Sequence, residues 1–428
     1  MHRLAKLACT LAITTVGIVG ASAQVGVPGL PQLPLPPLPQ LPAVTDPVTG
    51  TLRTTQSTAR AELRKSRVRE LLRTERATVE SDAQGHPILR RQIGVLSPTP
   101  EALARARTDG FTLLSADALD ALGMTLVVLQ APEGMSTRRA LKRLRELDPE
   151  GSYDFNHLYL DSGAEVVPVE PPAPVVPQPM RPVSPSTTRI GLIDSGVDGA
   201  HPAFAGATIV RFGCEGAEIP AMHGTAVASL LVGEAGGFHG VAPAAALHAA
   251  DVFCGHGGGS ISLLAVALDW MARERVAVVN ISLVGAKSVL LTALVRAMGE
   301  RGHLLVAAVG NDGPSAPPLF PAAYPEVIGV TGVDAKERVL PEACRGEQVD
   351  FAARGADLVA AQVGGGFGEV RGTSFATPIV AGLLAASLVE PDKTRAAAAM
   401  AALEAKARDL GREGVDTTYG KGLVGGPD

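Results

Sequence analysis

Positive charge, aromatic residues and cysteines are all scarce in this chain. Its 428 residues include 38 Lys and Arg against 43 Asp and Glu, which gives a formal net charge of −5, and only 4% are aromatic. A chain of this charge is not expected to bind nucleic acid. The glycine clusters Gly255–Gly259 and Gly364–Gly368 lack the strand, Gly-x-Gly-x-x-Gly and helix context of a nucleotide-binding loop, which argues against a nucleotide-binding protein.

Long apolar runs are also rare, and the one candidate for a membrane segment lies at the N-terminus. Arg3 and Lys6 precede the apolar stretch Leu7–Val19, and the small residues Ala21–Ala23 follow it. This order is typical of a secretory signal peptide, which we predict over residues 1–23. A retained membrane anchor is the alternative, but the stretch is short for a bilayer span. We therefore expect export to the periplasm or the medium, without stable membrane insertion.

Proline-rich sequence divides the rest of the chain into segments. A basic helix is predicted over Ser57–Glu80, and we expect its arginines to face solvent, with contact to an acidic surface as the alternative. The predicted segments are a Pro-rich spacer, 24–48; a basic helical segment, 49–85; a small α+β domain, 86–163; a Pro-rich linker, 164–187; and a larger α/β domain, 188–428.

Strand and helix patterns alternate in the small domain. Thr99 followed by Pro100 is a typical helix start. The order strand, helix, strands, helix, strand predicts a split βαβ sandwich. The predicted elements are Ile88–Leu96, Pro100–Thr108, Phe111–Leu129 with a break at Ala116–Gly123, Ser136–Leu147 and Tyr153–Leu160.

The larger domain contains short apolar runs separated by segments with helical periodicity. Apolar runs of this length are typical of buried strands. The alternation predicts a doubly wound, mostly parallel sheet with helices on both faces. Strands are expected at Arg189–Asp194, Leu247–Phe253, Val276–Leu283, Leu304–Gly310 and Val327–Val333, and helices at Ser260–Glu274 and Ser288–Arg301.

Three short motifs supply a carboxylate, an imidazole and a hydroxyl, in that order. A serine hydroxyl becomes nucleophilic when an imidazole takes its proton and a carboxylate orients that imidazole. We therefore assign Asp194 as the orienting group, His223 as general base and then acid, and Ser374 as nucleophile. The motifs that contain these residues are Ile193–Gly196, His223–Thr225 and Gly372–Pro378. Ser374 opens an apolar helical run, 375–388, and Pro378 is expected in the first turn of that helix.

The order Asp, His, Ser resembles that of the subtilisin-like serine proteases, and no Gly-x-Ser-x-Gly elbow surrounds Ser374. The resemblance covers about 240 residues from near Thr188 onward and includes three further stretches, Asn280–Gly285, Ala307–Gly313 and Tyr419–Val424. It implies a serine endopeptidase that acts on proteins or peptides through an acyl-enzyme, without a cofactor. The rival hypothesis is a catalytically silent pseudoprotease that binds peptides or retains its prodomain.

The resemblance also implies further site residues. Asn311 would form the oxyanion hole with the backbone N–H of Ser374, although an Asn-Asp-Gly turn is the alternative for Asn311 alone. Val284 and Leu319 would narrow the S1 pocket, so we expect small or medium apolar residues before the cleaved bond (position P1). The implied substrate-binding residues are Gly258, Gly259, Ser260, Ser282, Leu283, Val284, Gly285 and Leu319.

The small domain resembles the inhibitory propeptide of the same family over Leu147–Tyr159. This implies a prodomain that acts as folding template and intramolecular inhibitor. Its tail would lie in the cleft as an antiparallel strand beside Gly257–Ser260 and Ser282–Gly285. Self-cleavage is expected near Gly163–Ala164, or as late as Ser186. A domain that stays attached as a binding module is the alternative.

Export bears on the cysteines and on metal binding. Without the signal peptide, Cys214, Cys254 and Cys344 remain, and an oxidising compartment favours one disulfide. We predict a Cys214–Cys254 bond, since both residues lie near the Asp–His pair, and a buried thiol at Cys344. No metal site is expected: the cysteine and histidine spacing fits no zinc pattern, and the loop Leu231–Gly240 has one carboxylate, too few for calcium.

Overall fold

The computed structural model describes residues 64–162 and 188–425, together with the backbone of residues 165–168. The predicted signal peptide, the Pro-rich spacer and most of the linker lie outside these ranges. Within them, no helix combines the length and the apolar character that a membrane crossing requires.

An antiparallel sheet with helices on one face forms the N-terminal part. Its elements are α1 at 64–74, β1 Val79–Ser81, β2 Pro87–Leu96, α2 Pro100–Thr108, β3 Thr112–Leu119, β4 Met124–Gln130, α3 Thr137–Leu147 and β5 Ser152–Asp161. The strand order is β5-β2-β4-β3, and β1 pairs with the start of β2. This is the predicted split βαβ arrangement. Ile93, Leu129 and Leu144 are buried in the core between sheet and helices.

Both helices of this sandwich begin at a capping side chain, Thr99 as predicted and Ser136, which was predicted as the first residue of its helix. The side chain of Thr99 accepts a hydrogen bond from the backbone N–H of Ala102, and that of Ser136 accepts from Arg139. Each bond satisfies one of the N–H groups that a helix start leaves without a partner. The capping residues therefore set both helix starts locally.

Two predictions for the N-terminal part are wrong in detail. The basic helix ends at residue 74, not at Glu80, because Val79–Ser81 pairs with β2. The break predicted at Ala116–Gly123 is shorter: β3 continues to Leu119, which is fully buried opposite Met124. Small and acidic side chains gave this stretch a weak strand signal, and pairing with β4 overrides it.

A seven-stranded parallel sheet forms the core of the larger domain. The elements after β5 are β6 Glu165–Pro168, β7 Arg189–Asp194, β8 Ile209–Phe212, α4 Met222–Val232, β9 Glu234–Ala235, β10 Phe238–His239, β11 Ala246–Asp251, β12 Gly259–Ser260, α5 Ile261–Arg273, β13 Val278–Ile281, β14 Leu283–Val284, α6 Val289–Glu300, β15 Leu304–Ala308, β16 Val327–Val333, β17 Phe351–Arg354, β18 Leu358–Ala361, β19 Phe367–Arg371, α7 Thr373–Ala385 and α8 Lys393–Glu404. The sheet order is β17-β16-β15-β13-β7-β11-β8, with every pair parallel.

Helices cover both faces of this parallel sheet. The helices α5 and α6 pack on one face, and α4, α7 and α8 contribute to the apolar cluster on the other. The α/β doubly wound fold predicted from the sequence is therefore confirmed. Carboxyl ends of parallel strands meet at one edge, and β7 ends there at Asp194 while β15 leads to Asn311.

The small sheet packs its second face on the larger domain. Leu119 and Leu126 share an apolar cluster with Leu268 of α5 and Leu290 of α6. At the start of α6, the backbone N–H of Val289 donates to a carboxylate oxygen of Asp154 at 2.9 Å. A carboxylate is favoured at this end of a helix because the first N–H groups carry partial positive charge. The two domains therefore share one apolar layer with polar contacts at its rim.

Candidate active site

Asp194 and His223 form a buried pair at the carboxyl edge of the parallel sheet. His223 Nδ1 lies 2.8 Å and 3.0 Å from the two carboxylate oxygens of Asp194, which is 1% exposed. Burial, the largest influence, lowers the pKa of His223, but the charge and hydrogen bond of Asp194 outweigh it and the net pKa is raised. The pair can therefore hold the imidazole in one orientation and stabilise its charged form.

Ser374 is the second residue of α7, and its side chain is fully buried. Its Oγ contacts Ser162 Oγ and donates to the carbonyl oxygen of Ser282 at 3.4 Å. His223 Nε2 is buried and has no hydrogen-bond partner among the described residues. The arrangement leaves this nitrogen free to accept a proton.

Pro378 lies inside α7, not in its first turn as the sequence suggested. Proline has no N–H, so the carbonyl oxygen of Ser374, four residues earlier, loses its helical donor. The hydroxyl of Ser282 donates to that carbonyl instead, at 3.2 Å. Ser282 therefore contacts the backbone of Ser374 and also accepts from its side chain.

Asn311 lies beside Ser162 with its side-chain amide held from both ends. Its Oδ1 accepts from the backbone N–H of Thr373 at 3.1 Å. This orients Nδ2, which donates to the carbonyl oxygen of Ser162 at 2.8 Å. Gly310, just before it, has a φ of +99°, a left-handed conformation that a side chain would strain. The amide is therefore preorganised toward a carbonyl in this position.

The end of β5 lies in the cleft between β12 and β14 as an antiparallel strand. Tyr159 pairs with Gly259, and Leu160 pairs with Val284. The chain then brings the carbonyl of Ser162 to Asn311 and the hydroxyl of Ser162 to Ser374. The predicted cleavage sites, near Gly163–Ala164 or as late as Ser186, lie outside the described residues.

Tyr159 packs its ring against Gly285 and its backbone against Gly258. Its ring is fully buried, and its hydroxyl donates to the carbonyl oxygen of Ala286 at 2.8 Å. A Cβ at Gly285 would lie 2.4 Å from the Tyr159 ring, and one at Gly258 would lie 3.0 Å from the Tyr159 carbonyl oxygen. Gly258 and Gly285 therefore contact this residue, and the third predicted binding glycine, Gly259, pairs with it in the sheet.

Leu319 lies beside the segment that holds Asn311. It is 2% exposed, and a Cβ at Gly310 would approach its Cδ1 to 2.6 Å. Gly285, which directly follows β14, contacts the loop that contains Leu319. Its backbone N–H donates a hydrogen bond to the carbonyl oxygen of Phe320 at 2.8 Å. The residue beside Ser374 is Ser162, which is small but polar, so the preference for small or medium apolar P1 residues stays a prediction.

The comparisons with known proteins agree with this geometry. The sequence model of the subtilase family matches residues 186–422. The chain belongs to this family. It is 32% identical over 248 residues to Subtilisin E of Bacillus subtilis (strain 168), covering 56% of this chain and 64% of that protein. It is equally similar to Subtilisin of Bacillus pumilus, covering 89% of that protein.

Solved structures give the same fold for this subtilase. Fervidolysin from Fervidobacterium pennivorans, a keratinolytic enzyme related to subtilisin, superposes with a TM-score of 0.63 at 21% identity. The match covers 79% of this chain and 60% of that one, so it includes more than the larger domain. At this identity the likeness concerns the fold alone.

The subtilase has one disulfide in the part of its chain that the structure describes, between Cys214 and Cys254. This is the pair that the sequence analysis favoured. Cys344 is a buried free thiol whose pKa burial raises to about 12. A thiol with this pKa stays protonated at neutral pH, which makes it a poor nucleophile.

Two arginines of α1 reach the cleft, which the sequence analysis missed. Arg64 forms an ion pair with Asp312, the neighbour of Asn311, at 2.6 Å, and Arg67 contacts Asp161 in the tail strand. The interpretation of α1 as a solvated basic helix is therefore wrong for these residues. The available signal was their spacing, which places them with Val68 and Leu71 on one helix face.

Proposed function

We propose that this subtilase is a serine endopeptidase, made as an exported proprotein that cleaves itself after Ser162. The observation that carries the proposal is the position of the Ser162 carbonyl. It accepts a hydrogen bond from Asn311 at 2.8 Å, and Ser374 Oγ contacts the same residue. Acyl transfer needs a peptide carbonyl that is polarised by such a donor, in a residue that also contacts the serine hydroxyl.

In the proposed reaction, Ser374 Oγ attacks the carbonyl carbon of Ser162 while His223 Nε2 takes its proton. Asn311 stabilises the charge that develops on the carbonyl oxygen, and Asp194 stabilises the imidazolium. The bond to the nitrogen of Gly163 then breaks, and His223 gives its proton to that leaving amine. Water, deprotonated by His223, hydrolyses the resulting ester and restores Ser374. Other peptides follow the same course, with the predicted preference for small or medium apolar P1 residues.

The small domain acts in this proposal as an intramolecular inhibitor and folding template. Support comes from its last strand, which occupies the substrate position between β12 and β14. After cleavage, the domain ending at Ser162 remains bound until it dissociates or is degraded. The boundary predicted from the sequence, between residues 163 and 164, lies one residue after this cut, so the linker would belong to the mature enzyme.

The proposal is tested by intact mass and N-terminal sequencing of the exported protein, beside a Ser374→Ala variant. We expect the wild type to yield a new N-terminus at Gly163 and the variant to stay uncut. Organophosphate labelling of Ser374 reports activation of the serine independently, because only an activated hydroxyl reacts. A wild type that is neither cut nor labelled would favour the pseudoprotease.

A further inference from the structure

Helix α1 covers the tail strand from the side opposite the cleft. Side chains alternate along a strand, so neighbouring residues contact opposite sides. Tyr159 faces the core of the larger domain, whereas Leu158 and Leu160 pack against Val68 and Leu71 of α1. Leu160 is only 2% exposed in this arrangement. The tail is therefore enclosed between the cleft and α1, and the apolar side chains on its outer side are buried by the helix.

Two ion pairs anchor α1 at the reacting end of the tail. The Arg64 guanidinium donates two hydrogen bonds to one carboxylate oxygen of Asp312, at 2.6 Å and 2.8 Å, and both side chains are about nine-tenths or more buried. Arg67 contacts Asp161 one residue before Ser162, in a pair that is more exposed. The first anchor joins α1 to the larger domain beside Asn311, and the second joins α1 to the tail itself.

We propose that α1 is a latch that holds the tail in the cleft after the bond following Ser162 is broken. The inference rests on the proposed function. Cleavage removes the covalent link but leaves both anchors and the apolar contacts of α1 intact. After cleavage, α1 and the tail belong to the same fragment, and the Arg67 anchor and the apolar contacts keep the two together. Dissociation of this fragment therefore requires Arg64 to release Asp312, which lengthens the delay between cleavage and peptidase activity.

The two anchors contribute unequally. Removing one partner of a buried, hydrogen-bonded charge pair leaves the other charge buried and chiefly raises the dissociation rate. Arg64 is 10% exposed and Asp312 is 5% exposed, whereas Arg67 and Asp161 are 43% and 24% exposed. Exposed pairs are weakened by solvent and salt. The Arg64 anchor therefore has the larger effect on release.

The first test follows cleavage and activity together in the full-length protein. The Arg64→Ala, Arg67→Ala double variant is compared with Arg73→Ala, a matched change on the same helix whose partner is Glu70 within the helix. Mass spectrometry measures the cut after Ser162, and a small peptide substrate measures activity. We expect the delay between cut and activity to shorten at least about tenfold in the double variant only. An unchanged delay overturns the latch.

A second measurement keeps the latch testable without catalysis. In a Ser374→Ala background the chain stays uncut, and hydrogen exchange at residues 158–162 reports opening of the tail. We expect exchange to quicken at least about tenfold with the Arg64→Ala, Arg67→Ala changes and not with Arg73→Ala. Equal exchange overturns the latch whether or not the wild type cuts itself. Quickened exchange beside a wild type that never cuts itself supports the latch and refutes the proposed function alone.

Discussion

The two domains of this subtilase bury their sheets in different ways. The larger domain covers both faces of its parallel sheet with its own helices. The small domain covers one face with α2 and α3 and packs the other against α5 and α6 of the larger domain. Separated from its partner, the small domain would expose an apolar face, so its stability depends on docking. The larger domain has no such dependence for the core of its sheet.

The proposed function also assigns different roles to the two domains. Every group that the proposed mechanism uses to move a proton lies in the larger domain. The N-terminal part contributes a strand and a helix, which in the proposal inhibit the enzyme only while they are docked. Because the two roles lie in different domains, we expect catalysis and inhibition to respond to different substitutions. The following predictions test that separation.

The largest effect should come from Asp194→Asn, which disables the chemistry and leaves the interface intact. The variant keeps the size of the side chain but no longer stabilises the imidazolium or fixes its tautomer. We expect self-cleavage to slow by about 10⁴-fold. Timed mass spectrometry measures the rate, and thermal unfolding should show that the domains remain docked. A rate within tenfold of wild type would contradict the assignment.

Asn311→Ala should have the next largest effect, again on chemistry alone. Loss of the Nδ2 donor to the Ser162 carbonyl removes stabilisation of the developing oxyanion. A loss of about 10²–10³-fold in turnover is typical for one such donor. Peptide hydrolysis by the processed variant measures it. If the peptide's KM rises while kcat is unchanged, Asn311 binds substrate without stabilising the transition state.

Leu119→Ala should affect the interface and spare the chemistry. This fully buried residue lies in the apolar cluster that the two domains share. Truncating a buried leucine typically costs at least about 2 kcal/mol, which here would weaken prodomain binding about thirtyfold. Inhibition of the processed enzyme by its own prodomain measures the change. Leu113→Ala on the same strand, where the leucine is 46% exposed, is the control and should bind normally.

The smallest expected effect is on the pH dependence of self-cleavage, where a residue of the small domain acts on a residue of the larger domain. Burial lowers the pKa of His223, Asp194 raises it, and Asp161 of the tail raises it further, so the net pKa is above the usual value. The general base must be neutral, so self-cleavage increases as pH rises through this pKa. Asp161→Asn should move the midpoint of the self-cleavage profile to lower pH. Asp120→Asn, an exposed carboxylate in the same domain, should leave the midpoint unchanged.

Local sequence patterns were sufficient to predict most of the helices and strands. The strands Arg189–Asp194 and Val327–Val333 and the helix Pro100–Thr108 have the predicted bounds, because short-range periodicity and caps determine them. The predictions from sequence were wrong where pairing between strands overrides a weak strand propensity. An example is the continuation of β3 to Leu119, which pairs with β4. The predictions also misplaced Pro378, whose position within α7 is tolerated because Ser282 provides the missing donor.

The sequence by itself determined which chemical groups are present, because Asp194, His223, Ser374 and Asn311 are recognisable from motifs of a few residues. Only the tertiary structure decided that Ser162 lies beside Ser374 and what the arginines of α1 contact. Arg64 and Asp312 are 248 positions apart, so no local pattern relates them. Strand register and helix docking depend on many contacts between such distant residues, and folding alone brings those contacts together.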